Sequence, residues 1–337
     1  DRFEGVEIAV PETAVLGTDT FDHFLEASDL RNFAIECEDD EEIQRRFLAA
    51  RFPEEAERDV AVFLEKAVWP LAVRSSSLLE DSQHQPFTGV YETLMLSNND
   101  WSLGERLERA LVAIKLVYAS TFSQHAKAYL RATPYRLEEE KMAVLLQRIV
   151  GSPRGGRFYP DFSGVARSHN FYPTPPLESK DGIVAVALGM GRTIVEGGAC
   201  LRFSPKHPRH ILQFSSVEET LATTQKEFWA LPLEGGPEEG AMREQVFDLS
   251  VAEGDGALAA MGSTYSPEND VVYDGLSRPG PRVVTFAPIL KHDRFPLADV
   301  VGTLMDTGEQ GMGIPVEIEF AVSLAHRRDE RCEFGFV

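Results

Sequence analysis

Cysteine is scarce in this chain of 337 residues: Cys37, Cys200 and Cys332 are odd in number and far apart. That excludes a disulfide framework, and without a Cys-x-x-Cys pair it argues against a zinc site, leaving reduced structural thiols. Apolar runs long enough to cross a membrane are absent, and the start Asp1-Arg2-Phe3-Glu4 is no signal peptide, so the expected location is cytoplasmic. Positive charge is in deficit, with 33 Lys and Arg against 54 Asp and Glu, a formal net charge of −21, and no basic run interleaved with aromatics. Nucleic acid and anionic membranes are therefore poor partners, and any phosphate group needs a local basic pocket within an acidic surface.

The strong nucleotide and hydrolase motifs are missing too. There is no Gly-x-x-x-x-Gly-Lys-Ser/Thr loop, and Gly189-Met190-Gly191 has Ile194 where a dinucleotide fingerprint needs its third glycine. Neither a Gly-x-Ser-x-Gly elbow nor a His-Glu-x-x-His helix occurs. Of eight histidines only His207 and His210 are close, in a proline-broken segment that reads as a solvated loop ahead of a metal site.

What is present is a composition of 43% apolar and 26% charged residues, ordinary for a globular chain with a large core and one domain or two lobes. Pattern predicts a strand over 7–15 interrupted at Pro11 and a helix over 19–27, capped by Thr18, with Phe21, Phe24 and Leu25 inward. The acidic run 36–42 reads as a turn and helix start. One long core helix is expected over 103–130, a buried strand over 142–150, a turn over 151–156 and a proline-rich loop over 170–182. Further strands are expected over 183–188 and 316–322, and a helix over 297–310. Strands alternating with helices favour α/β or α+β. Residues 205–285 are the least legible, an insertion or a lobe of their own.

Residues 71–93 carry the most chemistry. An apolar strand delivers Arg74 into Ser75-Ser76-Ser77, where a helix is expected to begin, and Ser77 with Glu80 fits a capping box. A guanidinium beside the N–H groups of a helix start offers a fork for phosphate oxygens. The same residues also describe a serine-capped helix whose arginine pairs with a carboxylate. In Val316-Glu317-Ile318-Glu319-Phe320 strand alternation sends the apolar residues to a core, and Glu317 and Glu319 to the opposite face. If that face is exposed, water satisfies the pair; if it lines a cleft, the two carboxylates make a hard oxygen site for Mg²⁺.

Ala72-Val73-Arg74-Ser75-Ser76, then Glu80-Asp81, Phe87-Thr88-Gly89 and Glu92-Thr93, resembles the signature of the nucleotide-binding domain of phosphoenolpyruvate synthase and pyruvate phosphate dikinase. The similarity continues through Ser163-Gly164-Val165-Ala166, Ala187 to Gly191 and Pro315 to Phe320, and is poor over 205–285. The resemblance implies an α+β ATP-grasp fold, a single domain over 1–337 with approximate lobes 1–140 and 141–337 and the nucleotide between them. ATP and Mg²⁺ are the implied cofactors.

By position the resemblance gives Arg74 the clamping of phosphates and Gly89 and Thr93 the loop closing over them. Gln147 and Ile149 match a hinge whose backbone meets adenine, and Glu317 and Glu319 hold metal, Glu317 being longer than the aspartate often seen there. On residues alone Gln147 also reads as a satisfied polar group at a strand end, and Gly89 and Thr93 as an ordinary turn. The family's upstream Gly-Gly-Lys and downstream Gln-x-Arg-Pro segments are missing, which suggests a fragment trimmed at both ends. Its Phe-Thr-Arg-Asn-Pro loop stands here as Arg167-Ser168-His169-Asn170-Phe171, with His169 in place of the arginine. The implied partner is a phosphohistidine-bearing domain or protein outside this chain. The alternatives are a non-catalytic nucleotide-binding regulatory module, or transfer to a different acceptor such as an antibiotic or glucan.

Overall fold

A computed structural model describes residues 3–80, 89–100, 102–234, 242–325, 327 and 330–337. Its contacts divide the chain into two compact units, Glu12–Ile149 with Leu231–Glu244, and Asp1–Pro11 with Val150–Ala230 and Gln245–Val337. The chain passes from one to the other after residues 11, 149, 230 and 244. The fold class is mixed α+β, compatible with an ATP-grasp-like architecture. Among the described residues no helix is long and apolar enough to cross a membrane.

The unit containing Arg74 is built on a four-stranded antiparallel sheet in the order Thr13–Leu16, Ala143–Arg148, Leu71–Ser76, Thr93–Leu96. Alternation sends Leu71, Val73, Leu94, Leu96, Val144 and Leu146 into one core with Phe21, Phe24, Phe47, Phe52, Tyr118 and Phe122. Phe21 meets Tyr118 edge-on at 5.0 Å between ring centroids, and Phe24 meets Phe47 at 5.7 Å. Burying each such side chain contributes about 1.5–3 kcal/mol, and each aromatic pair about 0.5–1.5 kcal/mol more. Helices therefore cover this face, while Ala72, Arg74, Thr93, Leu145 and Gln147 share the other.

The first helix spans Thr18–Ala27, one residue earlier than expected, with Gly17 at its N-cap and Phe21, Phe24 and Leu25 fully buried. The expected long helix is two, Leu103–Ser120 and Gln124–Arg131. The N–H groups of Phe122 and Ser123 bond three residues back, to the carbonyls of Ala119 and Ser120, which tightens the turn. The Ser123 Oγ then accepts from the Ala126 N–H at 3.1 Å and starts a new helix. Apolar spacing runs through this break because Phe122 stays buried in the same core.

The other unit holds a six-stranded sheet ordered Val6–Ala9, Cys332–Phe336, Glu317–Ser323, Phe162–Arg167, Ile183–Leu188, Leu201–Phe203. Only the Val6–Ala9 pairing is parallel. Pro11 thus marks a passage between units and not a kink in one strand, since Thr13–Leu16 belongs to the four-stranded sheet. The helix Leu297–Met312 buries Leu297, Val300, Val301 and Met305 and packs on the Phe162–Arg167 strand.

The expected turn over 151–156 is a hairpin, Ser152–Arg154 with Arg157–Tyr159. Gly155 and Gly156 make its two-residue loop at φ 51° and 79°, the left-handed region that such a loop requires. Residues 205–285 are built of regular elements: they contain the helix Val217–Thr223, two strands of a four-stranded sheet and a separate three-stranded sheet, Val271–Asp274, Gly262–Ser266, Arg282–Val284.

Candidate functional site

Arg74 lies inside its strand, not at the end of one. Ser75 and Ser76 continue the pairing, opposite Val144 and Ala143, so no helix begins at 75–77. The capping-box chemistry survives as a turn: the Glu80 carboxylate accepts from the Ser75 hydroxyl at 2.7 Å and from the Ser77 N–H at 3.0 Å, while the Ser77 Oγ accepts from the Leu79 N–H at 3.2 Å. A carboxylate of the chain therefore occupies donors expected to face a ligand. Asp81, Phe87 and Thr88 of the signature lie outside the described residues.

The face of the four-stranded sheet opposite the aromatic core brings together Arg74, Thr93 and Gln147. Arg74 stands opposite Thr93 on one side and Leu145 on the other, and Gln147 is two residues along the same strand face. The Arg74 Nη1 donates to the Gln147 Oε1 at 3.1 Å, and the Gln147 Nε2 donates to the Thr13 Oγ1 at 3.2 Å. Gln147 is 6% exposed, so this bonding fixes its amide and, through it, the guanidinium. The hinge backbone is engaged as well, with the Arg148 N–H donating to the Glu12 carbonyl and the Ile149 N–H to that of Pro70, both at 2.9 Å. Gly89 has φ 77° with open space around the position of a Cβ, so backbone conformation alone selects glycine there.

A buried acid that pattern reading missed lies in the same unit. Glu140, 7% exposed, accepts from the Tyr91 hydroxyl at 3.1 Å. Burial pushes the Glu140 carboxyl above the usual carboxylate range, against the pull of its bonds with Ser77 and Tyr91. The Tyr91 hydroxyl is raised too, by burial and then by the Glu140 charge. Glu140 closes the acidic run 138–140, which hides it in the sequence; Tyr91, between Gly89 and Thr93, was the available signal.

In the other unit Glu317 and Glu319 share one strand face, Glu317 exposed and Glu319 half-buried, while Ile318 and Phe320 are buried on the opposite face. Arg167 stands directly opposite Glu317 in the antiparallel register, and Val165 opposite Glu319. Arg167 grips the Glu317 carboxylate with two bonds, Nε to Oε2 at 2.7 Å and Nη2 to Oε1 at 3.1 Å. That carboxylate raises the Arg167 guanidinium further above its ordinary value. His169 is half-buried, its ring edge-on to Phe171 at 4.8 Å.

Among the described residues no three His, Cys, Asp or Glu side chains gather to hold a metal ion. Two carboxylates on one accessible face still suit a hard cation such as Mg²⁺, which keeps waters and takes phosphate oxygens for its other ligands. The donor set fits, with Arg167 as a competing positive charge.

The family model of the pyruvate phosphate dikinase AMP/ATP-binding domain matches residues 3–331. The chain belongs to that family. Similarity also extends to an uncharacterized phosphotransferase, YvkC, of Bacillus subtilis (strain 168), 24% identical over 195 residues. That match covers 56% of this chain and 20% of the relative, so the chain matches about a fifth of that protein's length. The family assigns AMP/ATP binding as the domain's role, and the relative's name places it among phosphotransferases.

Proposed function

We propose that this dikinase-family domain binds ATP with Mg²⁺ and passes a phosphoryl group to a histidine on another domain or protein. The observation that carries the nucleotide half is the sheet face where Arg74, bonded to Gln147, stands beside Thr93. Phosphoryl transfer needs positioning and charge neutralisation more than a nucleophilic side chain of the binding domain. Arg74 suits both: a guanidinium presents its donors in a planar fork that matches phosphate oxygens and carries a permanent charge to offset theirs. Thr93, opposite Arg74, and Gly89 four residues before it would close over the phosphates, and backbone groups beside Gln147 and Ile149 would meet the base. Glu317 and Glu319 would hold Mg²⁺, which supplies further neutralisation of phosphate charge when bound. The setting is proposed to be an ATP-grasp domain acting in the cytoplasm.

The experiment is transfer in trans. The chain is incubated with Mg²⁺, ATP labelled at each phosphoryl position in turn, and a purified phosphohistidine domain of a dikinase. Acid-labile, base-stable label on that domain supports the reading, and its loss in Arg74→Ala assigns the clamp. The Glu80 carboxylate on the serine turn favours a second reading, a binding module that no longer transfers. Tight nucleotide binding with no label on any histidine domain would select it.

A further inference from the structure

We propose that Arg167 is an internal counter-ion which a divalent cation must displace, so that it sets the metal affinity of the Glu317–Glu319 face. The inference rests on the metal half of the proposed function and adds to it a residue that weakens the site by design of the sheet.

Three observations carry it. Arg167 and Glu317 are register partners in adjacent antiparallel strands, so their backbones hold them opposite one another. Such directly opposed positions keep their Cβ atoms within about 4.5–5.5 Å, and the pair does not depend on a chance meeting of two long side chains. The register is pinned just beyond the pair, where the Ser168 N–H donates to the Val316 carbonyl at 3.0 Å and the Val316 N–H to the Ser168 Oγ at 2.9 Å. The guanidinium is bidentate, spending both Glu317 oxygens. Arg167 thus offsets the charge of Glu317, and an incoming cation meets a fixed positive charge beside it.

The magnitude sets the role. Both side chains are about half exposed, 53% for Arg167 and 50% for Glu317, so the pair is screened by water. An ion pair of this kind is broken by a factor of only a few, which makes Arg167 a competitor and not a block. Nucleotide phosphates offer the displaced guanidinium a second acceptor of the same geometry, so metal and nucleotide would enter together more readily than metal alone.

The test uses Mn²⁺ alone, titrated into the chain and read from the electron paramagnetic resonance signal of the unbound ion. The Glu317→Gln/Glu319→Gln double variant supplies the background from the rest of this acidic surface. Arg167→Gln is expected to tighten the background-corrected site about fivefold. Arg167→Lys, which keeps a charge but loses the fork, should fall between wild type and Arg167→Gln. Circular dichroism confirms that each variant is folded, and Arg167→Lys carries the test if Arg167→Gln is not. Equal Mn²⁺ affinity in wild type and the Arg167 variants, with binding still lost in the double variant, overturns the inference and leaves the metal reading standing. No binding above the double-variant background in any protein overturns both.

Discussion

Gly164→Ala should destabilise the sheet that carries Glu317 and Glu319, because the glycine is a contact surface. An alanine Cβ would lie 2.1 Å from the Phe320 Cζ and 2.6 and 2.7 Å from its Cε1 and Cε2. Carbon atoms in contact sit about 3.5–4.0 Å apart, so ring or strand must shift by more than about 1 Å. Phe320 is 1% exposed and stacks on Phe334 at 4.8 Å between centroids, so the ring has no exit to solvent. Overpacking of this kind costs about 1–3 kcal/mol, and the stiffer unfolded chain of alanine returns about 0.4–1 kcal/mol. The expected net loss is about 1–2 kcal/mol. Urea unfolding followed by circular dichroism should show a lower midpoint at unchanged slope. In a Phe320→Leu background the alanine gains room and its cost should shrink or vanish, a coupling that a double-mutant cycle reads directly. An unchanged or higher midpoint, or the same cost in both backgrounds, would refute the packing argument.

Other outcomes follow from single contacts. Ser123→Ala removes the hydroxyl that starts the Gln124–Arg131 helix and should lower stability by about 1 kcal/mol, read as a drop in melting temperature; no change would mean that the break is held by Phe122 alone. Glu140→Gln should stabilise the fold at neutral pH. The folded-state pKa of Glu140 is raised, so the folded protein binds the proton more tightly than the unfolded chain and loses stability as pH rises above the ordinary carboxylate range. The amide keeps an acceptor for Tyr91 without the charge, so the gain should be present at pH 7.5 and absent below about pH 4. Melting curves of both proteins at the two pH values check this, and an equal difference at both would remove burial of the charge as the cause. Glu319→Gln should reduce the Mg²⁺ dependence of ATP binding, and an unaltered dependence would return that face to solvent.

The sequence exposed strand alternation and core faces well where one face is buried against helices. Phe21, Phe24 and Leu25 on one helix and Ile318 and Phe320 on one strand sit inward as their spacing predicts, because water excludes apolar area whatever the tertiary details. Local hydrogen bonding was less legible. The second cap at Ser123 interrupts a helix whose apolar period does not falter, and Ser75 and Ser76 extend a strand because Val144 and Ala143 offer a ladder. Buried Ser263 and Thr264, both 0% exposed, show why 205–285 resisted reading: its short strands bury hydroxyls, which carry no hydrophobic period. At the candidate site, residue types were legible but their internal partners were not. Gln147 for Arg74, Glu80 for the serine turn and Arg167 for Glu317 come from across the fold or across a turn, and only the folded chain pairs them.

The most direct measurement is calorimetric titration of the chain with a non-hydrolysable ATP analogue, with and without Mg²⁺, beside Arg74→Ala. The backbone of residue 74 stays paired with both neighbouring strands whatever its side chain, so the variant should remain folded by circular dichroism. Loss of a charge-assisted phosphate contact of about 1.5–3 kcal/mol should weaken binding by roughly tenfold to a hundredfold. Mg²⁺-dependent binding in wild type, weakened that far in a folded Arg74→Ala, is the expected result. Equal affinity in the two proteins, or a variant that loses affinity only because it unfolds, would contradict the assignment of this sheet face as the nucleotide site.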